Sequence, residues 1–157
     1  MKKTLKWLAA LTIAAVAVVV CFNVYKPDTT QTHAAISASN NDLQLIARAV
    51  NGEARGERYE GQVAVAAVIL NRVKHPSFPN SIAGVIYQPG AFTAVSDGQI
   101  NKPIDKSSTV YKACQDALNG WDPTGGAIYY YNPRTATNQW IRSRPIVRTI
   151  GLHVFCK

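Results

Sequence analysis

The chain has 157 residues, with 17 Lys and Arg against 9 Asp and Glu, a formal net charge of +8 and 47% hydrophobic residues. That length fits one domain plus a tail, since soluble domains usually run ~100–150 residues. No repeat or low-complexity segment is present, which excludes a repeat array, and no basic run with interleaved aromatics appears, which argues against a nucleic-acid binder.

The tail comes first. Lys2, Lys3 and Lys6 precede an apolar run over residues 8–22, with no further charge until Lys26. A positive segment followed by an apolar one is an export signal. The run is slightly long for a cleaved peptide (roughly 7–15 apolar residues) and short for a relaxed membrane span (~20). Cleavage near Ala34 and retention as a membrane anchor therefore both stand open for residues 1–25. Cys21 follows Val20 rather than a small residue, which makes a lipoprotein site a poor fit and an apolar filler a better one. Either way the domain is expected outside the membrane, in the cell wall or extracellular space, or anchored to the outer membrane face. From Ala35 onward 13 basic residues face 8 acidic ones, a net of +5. A modestly basic exported domain suits an anionic partner such as a wall polymer or a membrane surface, and nucleic acid is a poor partner across a membrane.

Residues 26–40 are small, polar and unpatterned, and read as a linker. The domain is expected over residues 41–157. Asn41 and Gln44 read as a cap and its partner. Leu43, Ile46, Ala47 and Val50 then follow helical spacing, and the next position on that stripe is Glu53.

Glu53, Glu57 and Glu60 are the only glutamates of the chain and fall within eight residues. A helix that continues through residue 53 aims Glu53 the same way as Ile46 and Val50, toward the interior or a cleft. A carboxyl on an apolar stripe is costly to ionise, so its pKa is expected to rise, as a general acid requires near neutral pH. The alternative is a carboxylate that caps or salt-bridges a neighbouring helix. Gly52 and Gly56 weaken a helix but admit a ligand or another backbone at close range. Glu57 and Glu60 sit beside Arg55 and Arg58 just before a second helix, where acids favour its dipole; a solvated helix end accounts for both.

The second helix, residues 61–74, is apolar nearly all round and should be central and buried; Pro76 and Pro79 end it. A short helix follows a cap at Asn80 or Ser81. Residues 89–103 read as a loop. Residues 107–120 give another helix, with Ser at its start and Gly120 at its stop, and residues 121–126 read as a turn. The segments "AIYYYN" and "IGLHVFC" are β-branched and aromatic, and read as strands. Helices first and strands later argue for an α+β domain.

His33, His75 and His153 show no metal-ligand spacing, so no zinc site, and no other metal or cofactor, is expected; each histidine reads as structural or solvated. Cys114 and Cys156 could form a disulfide in an oxidising compartment or stand as two buried thiols. Most Lys and Arg side chains read as solvated surface.

The segments "ARAVNGEARGE", "GQVAVAAVILNRV", "FPNSIAGVIYQPGAFTAVSDGQ", "ALNGWDPTGGAIYYYNP" and "TIGLHVF" resemble the catalytic domain of the spore-cortex-lytic enzymes, the cell-wall hydrolase family of germination. The resemblance spans residues 42–156. It implies a lysozyme-like α+β fold, mainly helical with a small antiparallel sheet near the C-terminus, and cleavage of peptidoglycan glycan strands with Glu53 as the catalytic acid. Weaker similarity to lytic transglycosylases at large implies Gln99 and the Tyr131–Asn132 pair as substrate contacts. Spore-cortex enzymes often carry a separate wall-binding repeat, and no such block precedes residue 42 here, which leaves the choice between cortex and vegetative wall open.

Phe92, Tyr131 and Trp140 are candidates to stack on sugar rings, with core packing as the alternative; Trp121 reads as core. In a strand, Tyr129 and Tyr131 share one face and Tyr130 takes the other, so at most one face is expected at the cleft. A hydrolase needs two carboxyl groups, ~5–5.5 Å or roughly 6.5–9.5 Å apart; a lytic transglycosylase works with one. Glu57 and Asp97 are the candidates for a second, and neither is favoured: Glu57 lies among charges, and Asp97-Gly98 is first a turn signal. The expectation is therefore a lytic transglycosylase, with a muramidase-type hydrolase or a non-catalytic wall-binding module as alternatives. An amidase or endopeptidase would need zinc ligands or a reactive Cys–His pair, and Cys114 falls on a buried helix face.

Overall fold

The computed structural model describes residues 38–157; the expected export segment, most of the expected linker and His33 lie outside them. Helix α1 (Asn40–Ala54) starts one residue before the expected cap. Ser39 is the cap: its hydroxyl accepts from the Asp42 amide while the Asp42 carboxylate accepts from the Ser39 amide, a reciprocal box that Asp serves as well as Gln. Gln44 instead reaches across the fold and brackets the Ile104 backbone, donating from Nε2 at 2.9 Å and accepting at Oε1 at 3.3 Å.

Helix α2 (Tyr59–Lys74) is the central element, buried continuously from Gly61 to Leu70. Helix α3 (Ile82–Ile86) is capped by Ser81. The segment expected as a loop holds a single-turn helix α4 (Thr93–Ser96) and a 3₁₀ turn (Gln99–Asn101). Both are too short for apolar periodicity to mark them. Helix α5 (Thr109–Leu118), capped by Ser108, packs on α2 as its pattern requires. The buried faces of α1, α2 and α5 form one core with Phe155 of the sheet.

The sheet has three antiparallel strands in the order β1-β3-β2, where β1 is Tyr129–Tyr131, β2 is Ile146–Ile150 and β3 is His153–Cys156. β2 was not expected, because its first four residues are exposed on both sides and show no alternation. The segment read as one strand, "IGLHVFC", contains the β2–β3 turn at Gly151 and Leu152, with Gly151 at φ +58°. A four-residue helix α6 (Gln139–Arg142) also precedes β2. The fold is thus the expected mainly helical α+β domain with a small antiparallel sheet near the C-terminus. Cys114 and Cys156 are free and buried, which decides for two thiols. Trp121 is 44% exposed against the Tyr59 ring rather than core.

Candidate active site

Helix α1 does continue through Gly52, so Glu53 emerges on the stripe of Ile46 and Val50, half-buried at the helix end. Its surroundings are more polar than the apolar stripe suggested. Oε1 accepts from the Thr93 amide at 2.7 Å and the Ala94 amide at 3.3 Å, and Oε2 accepts from the Tyr130 hydroxyl at 3.3 Å. Thr93 and Ala94 are the first residues of α4, whose own cap position, Phe92, offers no side-chain acceptor. Glu53 therefore does cap a neighbouring helix, and it also faces a cleft.

That cleft is a cavity of about 650 Å³, lined by Glu53, Arg72, Tyr130, Tyr131, Asn132 and His153, with loop residues before α4 and α6. Tyr130 comes from β1, which is held in place by Asp122 in the preceding turn: its carboxylate accepts from the Thr124 and Gly126 amides and from Asn71 of α2. Burial, together with the Glu53 charge, pushes the Tyr130 phenol up, so it stays a donor at any ordinary pH.

Both Tyr130 and Tyr131 line the cavity, contrary to the one-face expectation. β1 is only three residues long, and the chain turns at Asn132, so Tyr131 lies at the strand end rather than on a continuing pleat. Tyr129 turns away, onto Phe78 and Trp140.

The other expected contacts divide. Asn132 lines the cavity. Phe92 is 3% exposed and belongs to the core, so it offers no face to a sugar. Gln99 lies outside the lining; its side chain donates to Asp97 at 2.7 Å and accepts from Arg55. Trp140 is 50% exposed, edge-on to Tyr129 with Arg144 over its ring, and it too is outside the lining. Asp97 is taken up by the Gln99 amide and side chain, which hold its carboxyl below the usual range.

Glu57 is not at a solvated helix end. Its carboxylate lies under the β2–β3 turn, accepting from the Leu152 amide at 3.2 and 3.3 Å. A methyl on Gly151 would meet Glu57 Oε2 at 1.9 Å, so only glycine lets that carboxylate in. A second cavity, of about 680 Å³, lies on this side, on Glu57, Glu60, Arg58 and the turn; Glu53 does not reach it.

Two residues of the cleft escaped the reading of the chain. His153 lines the cavity with Glu53, and its Nδ1 stands 3.2 Å from Glu57 Oε1, which lies outside that cavity, but off the line a ring N–H donor needs. Burial lowers its pKa, against the opposite pull of Glu57 and Glu53. No spacing in the sequence marks it. Arg72 did leave a signal, a cation within the nearly all-apolar "AVILNRVK". It is 8% exposed, donates from Nε to the Ile128 carbonyl at 2.7 Å and lies among the Phe78, Phe92 and Tyr129 rings.

Among the described residues no group of three or more His, Cys, Asp or Glu side chains is placed to hold a metal ion. Burial pushes the Cys114 thiol up, away from nucleophile chemistry.

Fold and site together define a small helical domain built around one helix-borne glutamate that faces an open polar cleft beneath a three-stranded sheet. The sequence profile of the family described as Cell Wall Hydrolase matches residues 56–156. A spore cortex-lytic enzyme of Bacillus cereus is 62% identical over 119 residues, which is 76% of this chain and 45% of that protein. The crystal structure of the catalytic domain of the Bacillus cereus SleB protein superposes with a TM-score of 0.74 at 61% identity, covering 78% of this chain and 94% of that one. The catalytic domain of a germination-specific lytic transglycosylase, SleB from Bacillus anthracis, superposes with the same TM-score at 60% identity, covering 78% and 98%. The chain belongs to the cell wall hydrolase family. It spans less than half the length of the full-length relative it matches.

Proposed function

We propose that this chain cleaves the glycan strands of peptidoglycan between N-acetylmuramic acid and N-acetylglucosamine, as a lytic transglycosylase with Glu53 as general acid and then base. One observation carries the reading: Glu53 is the only acidic side chain, among the described residues, that lines the 650 Å³ cleft. Glu57, the nearest rival, is held under the β2–β3 turn, and Asp97 by Gln99. A hydrolase with paired carboxyl groups finds no second partner there.

In this mechanism Glu53 gives its proton to the departing glycosidic oxygen. The Thr93 and Ala94 amides and the Tyr130 hydroxyl are aimed at the carboxylate left behind, and charge-assisted bonds of this kind are the strong ones. Glu53 then takes the proton of the muramyl 6-hydroxyl as that oxygen closes on the anomeric carbon. No water is consumed, and intramolecular attack gains effective molarity. Tyr131 and Asn132, on the cavity wall, are the proposed sugar contacts; Trp140 lies beyond it. The names of the relatives, a spore cortex-lytic enzyme and a lytic transglycosylase, support both the substrate and the bond cleaved. Residues 1–25 serve as export signal or membrane anchor and residues 26–40 as linker, placing the domain at the wall.

The test is digestion of purified spore cortex and vegetative wall, with mass analysis of the fragments. Fragments short of one water at the muramyl end are expected, and none from Glu53→Gln. Fragments carrying a full water there would make the protein a muramidase. Undiminished release by Glu53→Gln would remove Glu53 from the chemistry.

A further inference from the structure

Arg72 is a buried cation that this domain leaves without an anion. No carboxylate lies within 4.0 Å of it among the described residues. Its Nε is spent on the Ile128 carbonyl, and its Nη donors make no hydrogen bond within the described residues. The rings of Phe78, Phe92 and Tyr129, 5.3, 5.6 and 5.8 Å from Cζ, offer attraction to a cation but no acceptor. A cation this nearly buried, with no carboxylate in contact, is short of partners. Arg72 lines the cleft beside Glu53, so its free edge borders the space where the substrate would lie.

We propose that Arg72 recognises a carboxylate carried by the muramyl unit bound against Glu53, which makes it a specificity-determining residue. This rests on the peptidoglycan reading given above. A guanidinium forks onto a carboxylate with two parallel bonds, a geometry that hydroxyls and acetamides do not reproduce. In a wall glycan the carboxylate has two sources: the lactyl group itself where the stem peptide is missing, or the stem peptide where it is present. A chitin-type chain has neither.

The test measures binding to the Glu53→Gln protein, with and without Arg72→Gln, of three soluble glycans: peptide-bearing wall strands, strands stripped of stem peptides, and chito-oligosaccharide. Arg72→Gln should weaken binding of carboxylate-bearing strands by about tenfold or more, the scale of a hydrogen bond to a charged group, and leave chito-oligosaccharide unchanged. A loss on stripped strands assigns the lactyl carboxylate; a loss confined to peptide-bearing strands assigns the stem peptide. Equal losses on all three, or none, would overturn the proposal. Shortening of strands by the Glu53→Gln protein itself would signal instead that the peptidoglycan mechanism is wrong. If Arg72→Gln fails to fold, Arg72→Lys keeps the cation and gives up the fork. Its preference for carboxylate-bearing strands over chito-oligosaccharide should then fall at least about threefold, and an unchanged preference would equally overturn the assignment.

Discussion

Gly52 and Ala94 touch where no side chain would fit: a methyl on Gly52 would lie 2.5 Å from the Ala94 Cβ and 3.3 Å from its Cα. This close approach of α1 and α4 puts the Thr93 and Ala94 amides within reach of the Glu53 carboxylate. Gly52→Ala should push α4 outward, costing about 1–3 kcal/mol as overpacking does, and lowering kcat more than the melting temperature alone would suggest. Thermal melts beside turnover on solubilised wall check this. An unchanged kcat would mean that the amides do not matter to Glu53.

Glu57 is structural in this account, so Glu57→Gln should keep most of the activity that Glu53→Gln abolishes. Glu57→Ala leaves the Leu152 amide without its acceptor and should cost about 1–3 kcal/mol. Loss of activity in Glu57→Gln at full stability would restore the two-carboxylate alternative.

Tyr130→Phe removes one hydroxyl from Glu53 Oε2 and keeps the ring packed on His153 and Phe155. The expected result is a fall in kcat of about tenfold, the worth of one such bond, with KM and folding nearly unchanged. A raised KM with unchanged kcat would make Tyr130 a binding residue instead.

His153 gives stability a pH dependence. Burial lowers its folded pKa beneath the ordinary 6.5, with Glu57 and Glu53 opposing the shift. The unfolded chain then binds the proton first as pH falls, so this contribution is complete above about 6.5 and declines below it. Melting temperatures from pH 8 to 5 should drop through the acid end of that range, and His153→Gln should flatten the drop. Equal slopes in the two proteins would place the titration elsewhere.

Cys114 and Cys156 are separate thiols whose pKa values burial raises. A reductant should leave the melting temperature unchanged, and a thiol reagent should modify both only after denaturation. A melting point lowered by reductant would reveal a bond between them.

What the chain disclosed beforehand followed its periodicities. Helices α1, α2 and α5 carry long apolar patterns and serine caps or proline stops, and were legible; so was Glu53, because it sits three residues beyond Val50 on a helical stripe. The misplaced cap at Asn41 shows the limit of a signal that two neighbouring polar residues share. β2 shows another, since a strand exposed on both sides has no alternation to read. The cleft beyond Glu53 was hardest. Phe92, Gln99 and Trp140 have the right chemistry but are turned by α4, Arg55 and Tyr129 into other duties. His153 and Arg72 enter only through tertiary contacts, Arg72 lying 56 residues from the carbonyl it binds.

The order of the sheet has a consequence for assembly. β3 is the middle strand, although it follows the other two along the chain, and its Phe155 pairs with Tyr130 of β1. A chain stopped short of residue 153 would hold every helix and yet leave β1 and β2 with nothing between them. β3 reaches β2 through a two-residue turn, but its pairing with β1 spans residues 132–152, and such long-range pairing is slow to form. The Tyr130 and His153 walls of the cleft would therefore be set together, when the innermost strand meets both of its neighbours.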